Sequence, residues 1–134
     1  MKELLLFLAT RLAFLVEPGQ FRIVDSLSSR SQGGDALLKL ESRALRIHLA
    51  RDRGQILMTF QPIALDNEWF SPGLLRGLLT GERPESEVLD DAWAEELRST
   101  LPMLEDRLSD PVVAGTTVRE LRRQANLRAK ELFG

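Results

Sequence analysis

Residues 45–61 read LRIHLARDRGQILMTFQ, and this stretch decides the fold. From Leu45 to Leu49, apolar and polar side chains alternate, which is typical of a strand with one buried and one wet face. The alternation stops at Arg51–Gly54 and resumes at Gln55. Because Gly54 can adopt the positive φ of a tight turn, the stretch predicts a β-hairpin. The inward positions are Leu45, Ile47, Leu49, Ile56, Met58 and Phe60.

Two further strands are predicted on the N-terminal side of this hairpin. One begins at Phe21 with alternating residues and ends in the polar segment 26–34. Within that segment, residues 28–34 have the composition of a loop. The other covers Ala36–Glu41 and reaches the hairpin through Ser42-Arg43. These connections are too short for helical crossovers, so we expect a four-stranded antiparallel meander with strands at Ala44–Ala50 and Gln55–Gln61.

Helices are predicted on both sides of the strands, from leucines at helical spacing and from helix end signals. They cover 2–16, a short segment opened by Ser71-Pro72 and closed by Gly81, a segment from about Ser86 that Pro102 kinks or breaks near Thr100, and Thr117–Phe133. Thr117-Val118-Arg119-Glu120 has capping-box spacing, and Val118, Leu121, Ala125 and Leu132 form the expected buried stripe. The sequence predicts one α+β domain, 1–134, with its sheet packed against an N-terminal helix and three C-terminal helices.

The composition of the 134 residues excludes several classes of site. With no cysteine, the chain holds neither disulfides nor thiolate metal sites, which favours a reducing cytoplasm. A single histidine argues against a histidine-rich metal centre. The apolar run 4–9 ends at Arg11 and no window is long enough to cross a membrane, so we expect neither a signal peptide nor a membrane partner.

The charge is nearly balanced at −2, but it is unevenly distributed. Residues 82–110 contain ten acidic and three basic side chains, whereas 21–61 contain seven basic and four acidic ones. An acidic helical face can dock on a basic partner protein, or its carboxylates can simply be solvated. The candidate partner-binding residues form two groups. The acidic group is Asp90, Asp91, Glu95 and Glu96, in a segment that also contains Glu87 and Glu105. The group around the sheet is Arg46, His48, Arg51, Arg53 and Trp69.

No catalytic or metal-binding constellation is recognisable in the sequence. His48 lies on the wet strand face with Arg46, where it is either a general base or a histidine that is solvated or paired across the strands. Asp90 and Asp91 point about 100° apart on a helix and cannot converge on one ion without ligands from another element. We therefore predict a protein that is not an enzyme and has no cofactor.

Nucleic-acid binding is the alternative function. Basic residues occur in the predicted sheet and along the last helix, at Arg43, Arg46, Arg51, Arg53, Arg119, Arg122, Arg123, Arg128 and Lys130. However, an RNA-binding sheet stacks bases on exposed aromatic side chains, and Phe21 and Phe60 fall on inward positions. The helical cations also complement the helix dipole.

Trp69 and Phe70 lie between the strands and the C-terminal helices. An aromatic residue there is either a binding hot spot or a staple that fixes the following helix to the core. We expect stapling, with Trp69 partly exposed.

The hairpin around Arg51–Gln55, the acidic and aromatic loop Asp66–Phe70 and the leucine-rich C-terminal half together resemble small bacterial immunity-type proteins. This resemblance implies a protein that binds and inhibits a cognate toxin. The sharpest prediction is therefore an immunity- or antitoxin-like inhibitor. Uncovered sheet edges also permit a homodimer.

Overall fold

The computed structural model describes residues 1–17, 19–28, 35–63, 68–82, 84 and 86–133, with only the backbone at Phe133. Its elements are α1 (Lys2–Thr10), α2 (Ala13–Val16), β1 (Arg22–Ser28), β2 (Ala36–Glu41), β3 (Leu45–Asp52), β4 (Gln55–Pro62), α3 (Pro72–Thr80), α4 (Asp91–Ser109) and α5 (Pro111–Phe133). The predicted α+β class is confirmed. Most of the predicted loop 28–34, and Asp66 and Asn67 of the acidic and aromatic loop, lie outside the described residues.

The strands form one antiparallel sheet in the order β1-β2-β3-β4, which confirms the meander. Asp52 pairs with Gln55, so the β3–β4 hairpin turns on two residues, Arg53 and Gly54. Their φ angles of 52° and 81° are both positive, as a type I′ turn requires. Gly54 was predicted to supply this conformation, but Arg53 adopts it too.

One face of the sheet, called the inner face below, packs against the helices in a single hydrophobic cluster. The strands contribute Leu38, Leu40, Leu45, Ile47, Leu49, Met58 and Phe60, and the helices contribute Leu4, Leu8, Leu15, Leu75, Trp93, Leu97, Leu101, Leu104 and Leu121. The predicted inward positions of β3 and β4 are thus confirmed, with Ile56 only partly buried. On β1 the pattern differs, because Phe21 is buried but all of Arg22–Ser28 is exposed.

The helix predicted over 2–16 is divided into α1 and α2. Arg11 and Leu12 both donate their amide hydrogens to the carbonyl oxygen of Phe7, and the Leu12 backbone leaves the helical conformation. Leu12 and Leu15 nevertheless reach the core, as the helical spacing of Leu4, Leu5, Leu8, Leu12 and Leu15 predicts, whereas Leu5 is exposed. The break turns the chain toward β1, where the Phe21 amide bonds the carbonyl of Leu15.

The helix predicted from Ser86 begins instead at Asp91. The Asp90 carboxylate accepts a hydrogen bond of 2.7 Å from the Trp93 amide and so caps α4. Of the kink or break expected near Thr100, the break does not occur, since α4 continues through Pro102 to Ser109. Proline removes one backbone bond, but buried leucines on both sides of it hold the helix against the core.

The short helix α3 follows the prediction, with Pro72 at its first position and Gly81 at its end with φ 76°. The Ser71 side chain, however, makes no capping bond. The predicted start of the last helix was wrong: α5 begins at Pro111, and the Thr117 hydroxyl donates to the carbonyl of Val113 from inside the helix. Leu132, expected in the buried stripe, is 65% exposed because the end of α5 extends past the core.

Candidate functional site

The face of the sheet opposite the helices is called the open face below. It carries the side chains that alternate along each strand with those of the inner face. On β2, β3 and β4 these side chains are half-buried or exposed, with Gln61 as the exception, and none belongs to the hydrophobic cluster. The strand register arranges the open face in three rows across the sheet. They are Leu27-Leu37-Ala50-Leu57, Asp25-Lys39-His48-Thr59 and Arg22-Glu41-Arg46-Gln61.

The three rows differ in chemistry. The first is entirely apolar, and its outermost member Leu27 is 53% exposed. In the other two, charges alternate in sign from strand to strand; Lys39 Nζ lies 3.8 Å from Asp25 Oδ2. Arg46 Nη1 donates to Gln61 Oε1 at 3.0 Å. An apolar strip bordered by mixed charges is a common composition for a surface that contacts another protein.

Trp69 joins the open face from outside the four strands. Phe60 and Phe70 exchange two backbone hydrogen bonds of 2.9 and 2.8 Å, so residues 68–70 run along β4. Alternation then directs Phe70 into the core and Trp69 onto the open face. Phe70, next to the start of α3, is the aromatic residue that is buried in the core, as the predicted stapling requires, and the predicted partial exposure of Trp69 is confirmed at 39%.

The Trp69 ring stacks on His48, with 4.0 Å between ring centroids and 32° between ring planes. Burial, and then the charge of Lys39, lower the pKa of His48 below its ordinary value of 6.5. His48 is therefore neutral at pH 7 and presents a flat aromatic ring to Trp69. The pair forms an aromatic platform in the middle of the open face.

Two of the basic candidates lie elsewhere. Arg51 was placed with Arg46 and His48, but its register opposite Ala36 and Ile56 puts it on the inner-face side of the sheet. There its charge helps to lower the pKa of Glu3, after a backbone hydrogen bond that has the larger effect. Arg53 is at the hairpin tip. Of the predicted basic group, the structure brings together only Arg46 and His48.

The predicted acidic residues do not form one unpaired patch. Asp90 caps α4, Asp91 Oδ1 lies 3.0 Å from Arg11 Nε, and Glu96 Oε1 lies 2.9 Å from Arg76 Nε. Glu95 pairs with Arg98 on its own helix. The two other acidic side chains of the segment also have partners: Glu87 contacts Arg128 and the Gly73 amide, and buried Glu105 accepts from the Ser42 hydroxyl. Four of these carboxylates connect α4 and the segment before it to neighbouring elements, whereas Asp90 and Glu95 make their contacts within α4.

Four basic residues of α5, together with Asn126 and Leu127, line one exposed side of the helix, called the α5 stripe below. The stripe spans successive helical turns and consists of Arg119, Arg122, Arg123, Asn126, Leu127 and Lys130. Glu68 binds Arg122 through three contacts of 2.6 to 2.9 Å, and hydrogen bonding from Arg122 lowers the pKa of Glu68. Arg128 faces away from the stripe, toward Glu87.

Within the described ranges, no group of three or more histidine, aspartate or glutamate side chains is placed to hold a metal ion. No helix in this part of the chain is both long enough and apolar enough to span a membrane. Comparison of the chain with protein-family models, with curated proteins and with solved structures finds no match.

Sequence reasoning missed the apolar row, although the sequence contains a signal for it. Leu37 and Leu57 occupy wet positions within the runs Ala36-Leu37-Leu38 and Ile56-Leu57-Met58, where strict alternation predicts polar side chains. A large apolar residue at such a position marks a strand whose second face also makes contacts. The Glu68–Arg122 pair, 54 positions apart, has no comparable sequence signal.

Proposed function

We propose that this protein binds another protein through the open face of its sheet, in the manner of an immunity-type inhibitor, and that it is not an enzyme. The observation that carries the proposal is a sheet face of mostly half-buried and exposed side chains, on which an apolar row and the Trp69–His48 stack lie beside charges of alternating sign. The absence of cysteine fits a reducing compartment, and we propose that the protein acts in the cytoplasm.

The composition of the open face favours a protein partner. Tryptophan is prominent among binding hot spots, because its ring buries a large area at a small cost in side-chain entropy. Stacking on His48 holds the Trp69 ring in place before binding, which reduces that cost further. The alternating charges select and orient a complementary partner rather than attract any ion of one sign.

The acidic residues of α4 are the weaker candidate surface. A basic partner that docks on Asp91, Glu95 or Glu96 has to compete with arginines that already contact them. A partner that docks on Trp69 at the open face does not have to displace an arginine in this way. We therefore assign partner binding to the open face.

The proposal is tested by comparing Trp69→Ala with Val112→Ala as baits in the native host. Val112 is 85% exposed on α5, so its variant is a control for loss of an exposed apolar side chain. A protein recovered with the wild type and the control, and lost with Trp69→Ala, is the candidate partner. With purified partner, we expect Trp69→Ala to weaken binding by about thirtyfold, the effect of a hot spot worth about 2 kcal/mol.

The inhibitor function is tested separately by expressing the recovered partner alone and together with this protein. We expect growth arrest by the partner alone and rescue on co-expression, with weaker rescue by Trp69→Ala. Equal recovery of the partner by the wild type and Trp69→Ala rejects the open face as the binding surface. A partner that is harmless on its own rejects inhibition but leaves protein binding in place.

Nucleic-acid binding is a second candidate function, favoured by the α5 stripe. Four cations on one side of a helix can contact successive phosphates, and such binding weakens steeply as salt is raised. Titration with mixed oligonucleotides at low salt, comparing the wild type with Arg119→Glu/Lys130→Glu, tests it. Binding that the double variant abolishes supports this function, and no binding at low salt rejects it.

A further inference from the structure

The two edges of the sheet are covered differently. On β4, the outward amide and carbonyl of Phe60 bond Phe70, and the carbonyl of Ile56 accepts a bond of 2.7 Å from the Leu89 amide. Along β1, no described segment pairs with the outer edge. A bare edge presents backbone donors and acceptors to any extended chain that approaches.

The β1 edge is long and partly apolar. All seven of its residues are exposed, including Ile23 at 45%, Val24 at 47% and Leu27 at 53%. β1 has neither lysine nor proline, two residues that often keep an edge strand unpaired. Its charged residues Arg22 and Asp25 and its bulge are further devices of that kind, so pairing at this edge requires a partner strand that matches them.

The first half of β1 is complementary to itself. Arg22-Ile23-Val24-Asp25 reads positive, apolar, apolar, negative. An antiparallel copy, related by a two-fold axis between Ile23 and Val24, places Arg22 opposite Asp25. The two-fold axis repeats this contact, so two opposite-charge pairs flank an apolar centre made of Ile23 and Val24 from both chains.

The bulge in β1 makes this charge pairing sterically possible. In a regular strand, residues three apart point to opposite faces, so Arg22 and Asp25 would be on different sides of the sheet. The register shift between Ile23 and Asp25 instead pairs Arg22 with Glu41 and Asp25 with Lys39, which puts both charges on the open face. The Asp25 side chain is about half exposed and lies 3.8 Å from Lys39, which leaves room for a second cation.

We propose that β1 pairs with β1 of a second copy of this chain, giving a homodimer with one continuous eight-stranded sheet. The two-fold axis is perpendicular to the sheet, so both open faces lie on the same side of the dimer. The two β3 strands are then five strand spacings apart, about 24 Å. The dimer presents two Trp69–His48 platforms side by side, although the pairing itself does not depend on what those platforms bind.

Sedimentation velocity over a concentration series tests the dimer with charge variants. We expect Arg22→Glu and Asp25→Lys each to weaken dimerisation by about tenfold or more, because each puts like charges opposite one another twice. An equimolar mixture of these two variants restores opposite charges at both contacts and should form heterodimers. The double variant R22E/D25K should regain the homodimer, and Lys2→Glu on α1 is the matched control, expected to behave like the wild type.

A second measurement uses the unmodified chain. Amide hydrogen exchange of residues 22–25 should be slower in concentrated than in dilute samples, while exchange at the Arg53 turn stays the same. A wild type that is monomeric at every concentration overturns the proposal. So does a dimer that both single variants retain, since its interface then lies elsewhere, or a mixture of variants that forms no heterodimer.

Discussion

Ile47 and His48 are neighbours on β3, yet their surroundings differ completely. Ile47 is wholly buried between Leu40 and Phe60 and faces the helices. His48 lies between Lys39 and Thr59, and the ring that stacks on it, Trp69, comes from a loop rather than from a core helix. The same strand thus takes part in two layers with different composition.

This difference indicates that the inner face contributes mainly to stability and the open face mainly to recognition. The inner face is filled with leucine, isoleucine and phenylalanine, whose burial is the main favourable contribution to folding. The open face combines modest apolar area with charges that compensate one another across the strands. Substitutions there should change what the protein binds more than they change its free energy of unfolding.

The largest expected effect comes from truncating the two neighbours on β3. Ile47→Ala removes fully buried atoms and leaves a cavity, so we expect the free energy of unfolding to fall by about 2 to 5 kcal/mol. His48→Ala, at the adjacent position, should cost less than about 1.5 kcal/mol, mostly from the lost ring stacking. Chemical denaturation of both variants measures the difference. Equal losses would show that the open face is also part of the core.

The next effect concerns a polar contact on the helix side of the sheet. Ser42 Oγ donates to buried Glu105 Oε2 at 2.7 Å and accepts from the Leu45 amide at 3.0 Å, which fixes the β2–β3 turn to α4. Glu105→Ala leaves this hydroxyl without its buried acceptor, so we expect a loss of about 1 to 3 kcal/mol.

The neighbouring Asp106 is exposed and provides the control, since Asp106→Ala should change stability by less than about 0.5 kcal/mol. A double-mutant cycle with Ser42→Ala isolates the Ser42–Glu105 coupling. A coupling energy of zero would mean that Glu105 acts through packing alone.

The inner face and the strand order were predictable from sequence, because both follow from period-2 burial. Positions such as Leu45, Ile47 and Leu49 have only one face on which a core can form. The short connections then left an antiparallel meander as the arrangement available. Gly54 fixed the hairpin for a local reason as well, through its positive φ.

Helix ends were predicted less well because competing signals lie close together. Thr117-Val118-Arg119-Glu120 has capping-box spacing, but Asp110-Pro111 is an equally good start signal, and there the Asp110 carboxylate accepts from the Val112 amide at 2.9 Å. Both starts place Val118 and Leu121 inside the helix and in the core, so the buried stripe did not distinguish the two signals.

The candidate site was predictable only in part. Arg46 and His48 followed from alternation, whereas Trp69 reaches the open face through the Phe60–Phe70 pairing, a contact between residues of different segments. The pairing of Asp91 with Arg11 and of Glu96 with Arg76 likewise depends on how helices pack. The acidic segment was therefore predicted to be a docking surface because its sequence alone does not show the arginine partners of its carboxylates.

A smaller effect is expected from removing the aromatic platform. Trp69→Ala should lower the free energy of unfolding by about 0.5 to 1.5 kcal/mol, the usual contribution of a stacked ring pair. Trp69→Phe keeps a ring over His48 and should recover most of this loss. Thermal denaturation of the two variants tests the contact, and identical midpoints for alanine and phenylalanine would argue against stacking.

The smallest expected effect is a pH dependence from His48, the single histidine of the chain. Burial and Lys39 lower its pKa in the folded state below the ordinary value of 6.5. As the pH falls, the unfolded chain therefore takes up this proton at a higher pH than the folded chain does. The contribution of His48 to stability is therefore complete above pH 6.5 and is lost as the pH falls through 6.5 toward the lowered folded pKa. An NMR titration of the imidazole protons measures the folded pKa directly, and His48→Gln should remove this part of the pH dependence. Trp69→Ala, which uncovers the ring, should move the pKa back up toward 6.5; a folded pKa at or above 6.5 in the wild type would contradict a desolvated His48 on the open face.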